Sequence, residues 1–309
     1  MNIGGILLAL QGAASQGILW GVFVLGVYIT YKILDIADLT VDGSFALGGC
    51  VCATLIVEHG MNPGLALVMA TLAGLLAGGV TGFLHTVFEI PAILAGILTQ
   101  ISLWSINLRI MGKSNTPLLK SETIFTGMIE STGMKNSMAA AIIGLVIVIA
   151  VILILYWFFG TEIGSALRAT GNNEDMIRAL GVNTKVTKMI ALMMANGLVG
   201  LSGGLVCQSQ KYADIGMGTG AIVIGLAAIV IGEVLLGRVK NFAGRLIAVV
   251  VGSIVYFLIR AVVLQLGMDA NDMKMLSAII VALALCIPVV IEKYRSKRMY
   301  SEGGEEKDA

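Results

Sequence analysis

The residues with chemistry to offer are few, and they sit at the edges of long apolar runs. Asp35, Asp38 and Asp42 cluster after the first run, Asp214 follows a later one, and Glu233 lies inside another. Ionisable groups in or beside apolar spans are costly and are functional candidates by default. If residues 39–47 are the entry of a broken helix, Asp42 or Thr40 caps it, and Asp38, Thr40 and Asp42 border a solute pathway. The plainer alternative is a cytoplasmic loop with ordinary helix caps. Asp214 and Glu233 join the candidate pathway set, with Glu233 expected to face protein and to pair with Arg238 or Lys240. His85 and Glu89 stand one turn apart, the spacing of a proton relay, although their place at a span end favours simple interfacial positioning. The four cysteines, Cys50, Cys52, Cys207 and Cys286, lie in apolar stretches without a His or acidic cluster. They read as small packing residues, and no metal site is expected.

The polar insertion 160–188 has the most pattern. Thr161 to Thr170 reads as a short amphipathic helix, broken by Gly171-Asn172-Asn173. Asn173 then caps a second helix with Glu174 and Asp175 in its first turn, where the helix dipole favours acids. That helix, 174–180, ends at Gly181, a natural residue to follow a helix. A short helix held between two breaks cannot bury itself, so it needs a partner groove. A plain surface linker is the alternative.

The elements that position these groups are membrane spans. Hydrophobic residues make up 57% of the chain and charged residues 13%, about half the charge of an ordinary soluble domain. A helix needs about 20 apolar residues to cross the hydrocarbon. Nine runs qualify: 14–33, 43–59, 64–88, 91–111, 137–159, 188–209, 219–237, 243–266 and 275–292. The expected fold is an all-α polytopic membrane protein of about nine helices, bounded at eight to ten, forming one transmembrane domain over 1–309. The stretch 3–11 either lies on the membrane surface or extends the first helix. The first Lys or Arg is Lys32, so the first 30 residues read as a retained span, not a cleavable signal.

Charge sets the orientation. Spans alternate sides, which puts Lys32, 160–188, 237–245 and the tail 293–309 on one face. That face carries 13 of the 20 Lys and Arg, so it is expected to be cytoplasmic, with the C-terminus inside and the N-terminus outside. The net charge of +1 leaves no footprint for nucleic acid. Arg109 and Arg260 fall near outer span ends, either at headgroup level or facing a docking protein. The outer connection 112–136 has Phe125, Met128 and Ile129 spaced for a short surface helix, and is either a dock or a bare connector. ADLTVDGSFALGG from Ala37 is echoed by ADIGMGTGAIVIG from Ala213. The two segments are expected on opposite faces, which is what an inverted internal repeat predicts.

GSALRATGNNEDMIRALGVNTKVTKMIALMMANGLVGLSGGL resembles the cytoplasmic signature of ABC permeases in the branched-chain amino acid and ribose importer superfamily. Gly164, Arg168, Ala169, Gly171, Asn172, Ala179, Gly181 and Gly200 to Gly204 carry the likeness, with DLTVDGSFALGG (38–49) and IPAILAGILTQISL (90–103). Within the superfamily the chain looks closest to an aromatic-amino-acid-like uptake group. The resemblance implies that 172–181 is a coupling helix, with Gly171, Asn172, Asn173, Glu174, Asp175, Met176, Ala179 and Gly181 serving contact with a separate ATPase subunit. It implies a second permease chain, here expected as a homodimer, an extracytoplasmic solute-binding protein, and a multi-pass place in the bacterial plasma membrane among lipid. No phosphate-binding GxxxxGK[ST] loop is present, so ATP is expected on the partner and no cofactor or enzymatic activity on this chain. An ion-coupled secondary transporter is the rival reading. It would need polar groups at mid-membrane and would have no use for a captured helix at 172–181. A membrane-embedded enzyme is disfavoured by the presence of only two histidines.

Overall fold

The computed structural model describes residues 3–119, 121–236 and 241–266, with scattered positions between 272 and 286. The tail 293–309, Arg238 and Lys240 lie outside the described residues, as does most of the run 275–292. Eleven helices are present among the described residues: α1 (Ile3–Tyr28), α2 (Thr40–Val57), α3 (Pro63–Thr86), α4 (Ala92–Met111), α5 (Thr126–Thr132), α6 (Asn136–Phe159), α7 (Glu162–Asn172), α8 (Glu174–Ala179), α9 (Thr184–Gln210), α10 (Ala221–Leu236) and α11 (Phe242–Gln265). The stretch 3–11 extends the first helix. Seven helices (α1, α2, α3, α4, α6, α9 and α11) are long and apolar enough to cross a membrane. The seventh run, 219–237, forms α10, whose 16 residues fall short of the roughly 20 a full crossing needs.

Local chemistry sets the ends. Asn62 caps α3, with Pro63 at its first position, where proline loses no hydrogen bond. Asn183 caps α9 by accepting from the N–H groups of Lys185 and Val186. Gly112 ends α4 in the left-handed conformation. At the other end of α1 a π-helical turn, Ile29–Ile33, widens the last turn before the chain reverses. Such turns gather at functional sites.

The central helix is α9. It packs on α1, α2 and α3 with a buried face rich in small residues, including Ala191, Ala195, Gly200, Ser202, Gly203 and Gly204. Small side chains let helices approach closely where lipid gives no hydrophobic drive to associate. Helices α3, α4 and α6 instead turn large apolar side chains such as Leu76, Ile101 and Leu153 outward, as lipid-facing helices do.

The two ends of the bundle differ. One carries a two-stranded antiparallel ribbon, β1 (Asn115–Pro117) with β2 (Tyr212–Asp214), in register Thr116 to Ala213. The expected short helix of the 112–136 connection is α5, with Phe125 fully buried just before it. Gln208 secures this end: its side chain accepts from the Ile124 N–H and donates to the Pro63 carbonyl. The opposite end carries α7 and α8. Helix α1 runs from the ribbon end, where Ser15 donates to the Ser137 carbonyl, to the α7 end, where Ile33 meets Gly171.

Candidate functional site

Asp38 and Asp42 are buried, at 3% and 8% exposure, and they lie well inside the bundle. Asn196, near the middle of α9 and fully buried, donates to Asp38 at 2.7 Å and accepts from the Ser44 hydroxyl at 2.7 Å. The alternative of a cytoplasmic loop is therefore corrected. After α1 reaches the α7 end, residues 34–39 turn back into the bundle, and α2 starts beside the midpoint of α9.

The capping differs from the expected one. Asp38, in place of Thr40 or Asp42, serves the start of α2, accepting from the Thr40 N–H at 2.9 Å. The Thr40 hydroxyl joins a buried chain with Thr81 and Thr99. Asp42 serves another helix altogether: its two oxygens accept from the N–H groups of Gly220 and Ile222, each at 2.8 Å. Those groups open α10. The chain leaves α9 at the ribbon end, then dives through 215–220 to meet α2 inside the bundle. A Cβ on Gly218 would stand 1.9 Å from the Asp42 carbonyl oxygen, so only glycine permits this approach. The shortness of α10 follows, because it begins inside the bundle.

Two helix starts thus face each other in the interior, and each positive end has a carboxylate upon it. Beside them a space of ≈ 20 Å³ is lined by Asp42, Gln100, Trp104, Asn107 and Thr219, among others. Asn107 is 1% exposed and its side-chain oxygen has no partner among the described residues.

The other candidates separate from this junction. Asp214 sits at the ribbon and accepts from the Gly216 N–H at 2.7 Å, so it shapes the turn into the dive. Asp38 and Asp214 make the same local bond, from the carboxylate to the N–H two residues on. Glu233 pairs with Lys32 at 3.0 Å, both side chains being 40–50% exposed (41% and 46%). It therefore belongs to the α7 end and not to the depth of a span. His85 and Glu89 form no relay: His85 Nδ1 bonds the Ile90 carbonyl, and Glu89 pairs with Lys185 at 3.1 Å. Cys50, Cys52 and Cys207 are buried and form no disulfide, with Cys52 Sγ accepting from the Gln208 amide at 3.2 Å, while Cys286 is exposed.

The second candidate is the α7–α8 segment. Helix α7 continues through Gly171 and Asn172, so the break falls at Asn173 alone. Glycine at 171 serves packing instead: a Cβ there would lie 1.9 Å from the Ile33 carbonyl oxygen. Asn173 is extended and accepts from the Met176 N–H at 3.0 Å, the expected cap. Helix α8 ends at Ala179, and Gly181 follows at φ +86°, a backbone that side chains disfavour. Glu174 is held by Arg178 at 2.7 Å and by Lys188. Partial burial raises the Glu174 pKa, but the Lys188 hydrogen bond and charge, the Thr184 hydroxyl and Arg178 outweigh it and leave the carboxyl below its usual range. Ile177 is buried beneath, and Met176 and Leu180 stand out at 54% and 71% exposure. Arg168 donates to the Phe159 carbonyl at 2.7 Å and lies 5.2 Å from the Phe242 ring centre, tying α7 to the end of α6. Asn172 and Asp175 are exposed.

Sequence reasoning missed Asn196, Asn107 and Gln208. The signal was present: each is an amide inside an apolar run, and such groups must find partners in the bundle.

Comparison with known proteins bears on both regions. A family model described as branched-chain amino acid transport system / permease component matches residues 9–286. A tyrosine transport system permease protein of Clostridioides difficile (strain R20291) is 39% identical over 267 residues, covering 86% of this chain and 87% of that protein. The ribose import permease protein RbsC of Escherichia coli (strain K12) is 25% identical over 252 residues, covering 81% of this chain and 76% of the relative. An inner membrane ABC transporter permease protein, YjfF, of the same strain is 25% identical over 238 residues, covering 75% and 70%. No solved structure matches.

Proposed function

We propose that this chain, which belongs to the family of branched-chain amino acid transport permease components, imports an amino acid and takes its energy through α8 from a separate ATPase. The coarser statement is established: the protein is a multi-pass membrane permease of an ABC importer for small solutes. Family membership implies an ATPase and a solute-binding partner. The amino-acid cargo is inferred from the relative named for tyrosine transport, the more similar of those compared. A homodimer in the lipid bilayer, with the α7 end and C-terminus cytoplasmic, completes the reading.

The observation that carries it is the construction of α8. The helix is clasped from below by Ile177, Glu174 and the Asn173 cap, yet it presents Met176 and Leu180 outward as an apolar pair one turn apart. It joins directly to α9, whose midpoint holds the buried junction through Asn196. A push on α8 is thus delivered to the helix that contacts both Asp38 and Ser44. Gly171, Asn172, Asp175, Ala179 and Gly181 act in this reading as the spacing and exposed rim of the same fitting. Asp38, Thr40 and Asp42 form the internal junction that the movement rearranges. Asp214 and Glu233 mark the two ends of that pathway unit, at the outer turn and at the cytoplasmic Lys32 pair. The matched turns at Asp38 and Asp214, each leading to a helix that starts inside the bundle, support the inverted repeat.

The test is uptake into proteoliposomes. With ATPase and binding protein present, a labelled amino acid should accumulate only when ATP is supplied. Accumulation by the permease alone, driven by an ion gradient, would sink the reading in favour of a secondary transporter.

A further inference from the structure

A cavity of ≈ 430 Å³ opens on the outer half of the molecule, between α1, α2, the dive after β2 and α11. Its volume suits a small solute. Trp20, Phe45, Tyr212 and Met217 give it an aromatic and apolar wall. Two of these rings are fixed in place: Trp20 lies 4.6 Å from Phe45 and 5.4 Å from Phe257, centre to centre. Fixed rings bind a flat apolar group with little loss of side-chain freedom.

The wall also bears Arg260. Its guanidinium lies 5.8 Å from the Phe257 ring centre, and it makes no ion pair among the described residues. None of the described residues lining the cavity is acidic. The start of α10 also borders this space, but it cannot hold an anion as well: Asp42 takes the N–H groups of Gly220 and Ile222, and the Val223 N–H is bonded to the Gly220 carbonyl. Arg260 is therefore the anion partner the cavity provides, and it faces an aromatic wall.

We propose that this cavity receives the solute during transport, with the solute's carboxylate paired to Arg260 and a large apolar or aromatic side chain against Trp20 and Phe45. This rests on the amino-acid reading above and deepens it, because it gives the permease a selectivity of its own. The cavity reads the carboxylate and the side chain; among the described residues that line it there is no acid to read an ammonium group.

The experiment uses the complete complex of permease, ATPase and binding protein in proteoliposomes, with L-tyrosine, L-phenylalanine and L-alanine as probes. R260M should lower ATP-driven uptake of L-tyrosine at least tenfold while loaded binding protein still stimulates ATP hydrolysis. R260K should recover part of the rate. W20L should reduce L-tyrosine and L-phenylalanine uptake more than L-alanine uptake. If R260M fails to assemble with the ATPase, R260Q replaces it under the same criteria. Uptake by the variant at the wild-type rate would overturn the proposal. So would joint loss of uptake and of stimulation by the binding protein, which would make Arg260 a docking contact. A wild-type complex that hydrolyses ATP yet imports none of the three probes would overturn the amino-acid reading itself, and that silence of the wild type is distinguishable from silence of the variants.

Discussion

Asp42 and Glu174 each hold the first turn of a short helix, but they do so in opposite surroundings. Asp42 is buried and its partners are backbone N–H groups of a distant segment, Gly220 and Ile222. Glu174 is at the surface, and its partners are the side chains of Arg178 and Lys188. Backbone donors cannot swing away, so a lost acceptor leaves them fixed where they stand. Side-chain cations at a surface can rotate, and water substitutes for them. The first arrangement fixes where two helices begin. The second keeps a helix in place while leaving it free to be gripped. If this contrast is right, the two regions should separate sharply in what their loss does to stability.

The largest expected effect is at Asp42. D42A leaves the N–H groups of Gly220 and Ile222 without their acceptor, each at a cost of roughly 1–3 kcal/mol, so the variant should lose roughly 2–6 kcal/mol and accumulate poorly as a folded protein. D42N keeps one carbonyl acceptor and should fall between the variant and the wild type. Thermal unfolding in detergent, read alongside yield, checks both. A D42A protein as stable as the wild type would erase the contrast. Next comes the Asp38–Asn196 pair. D38A and N196A should each destabilise by roughly 1–3 kcal/mol, and the double variant should cost less than their sum because the residues share one hydrogen bond. Additive effects would show that the pair does not act as a unit.

What the sequence reveals of the two regions differs for the same physical reason. The α7–α8 segment is bounded by local chemistry, so the Asn173 cap, the acids of the first turn and the Gly181 stop are all legible from spacing. Only the extent of α7 through Gly171 and Asn172 is misjudged, because Gly171 looks like a breaker and is in fact a contact with Ile33. The buried junction is made of long-range pairs. Asp42 and Gly220 are 178 residues apart, and no local pattern joins them. Hydropathy reads 219–237 as an ordinary span, since it registers how apolar a run is and not how deep it begins. Glu233 pairs with Lys32, 201 residues away in the π-helical turn after α1, a partner no local pattern names; its expected neighbours Arg238 and Lys240 lie outside the described residues. The echo between 37–49 and 213–225 is the sequence feature that relates the two segments meeting at the junction, through the shared aspartate and its turn.

At the surface the expected losses are smaller. Glu174→Gln removes the charge that Lys188 and Arg178 share, and pairs this exposed are worth about 0–1 kcal/mol. The effect should also depend on pH. Because the folded pKa lies below the usual 4.5, the stabilisation is fully present above that value and is lost as pH falls through the lowered folded one. The protection factors of the α8 amides, which divide out the intrinsic pH dependence of exchange, should therefore exceed those of the glutamine variant by a constant ratio from pH 8 to 6 and fall toward them only in acid. Divergence between the two proteins that grows as pH falls would show that Glu174 is not acting as a shared carboxylate.

The smallest effect on stability should come from the outward pair on α8. Met176 and Leu180 are exposed, so M176D/L180D should shift unfolding by no more than about 0.5 kcal/mol. The same change places two charges on the surface offered to the ATPase, where an unpaired buried charge is strongly unfavourable. Co-purification of the ATPase should fall at least tenfold, and ATP-driven uptake should fall with it, in a protein whose unfolding temperature is unmoved. The opposite pattern, a destabilised chain that still binds its ATPase, would mean that the outward pair packs within this chain and that α8 is not the coupling surface. The comparison then narrows to one requirement: damage at Asp42 must appear in the fold before it appears in transport, and damage at Met176 and Leu180 must appear in transport alone.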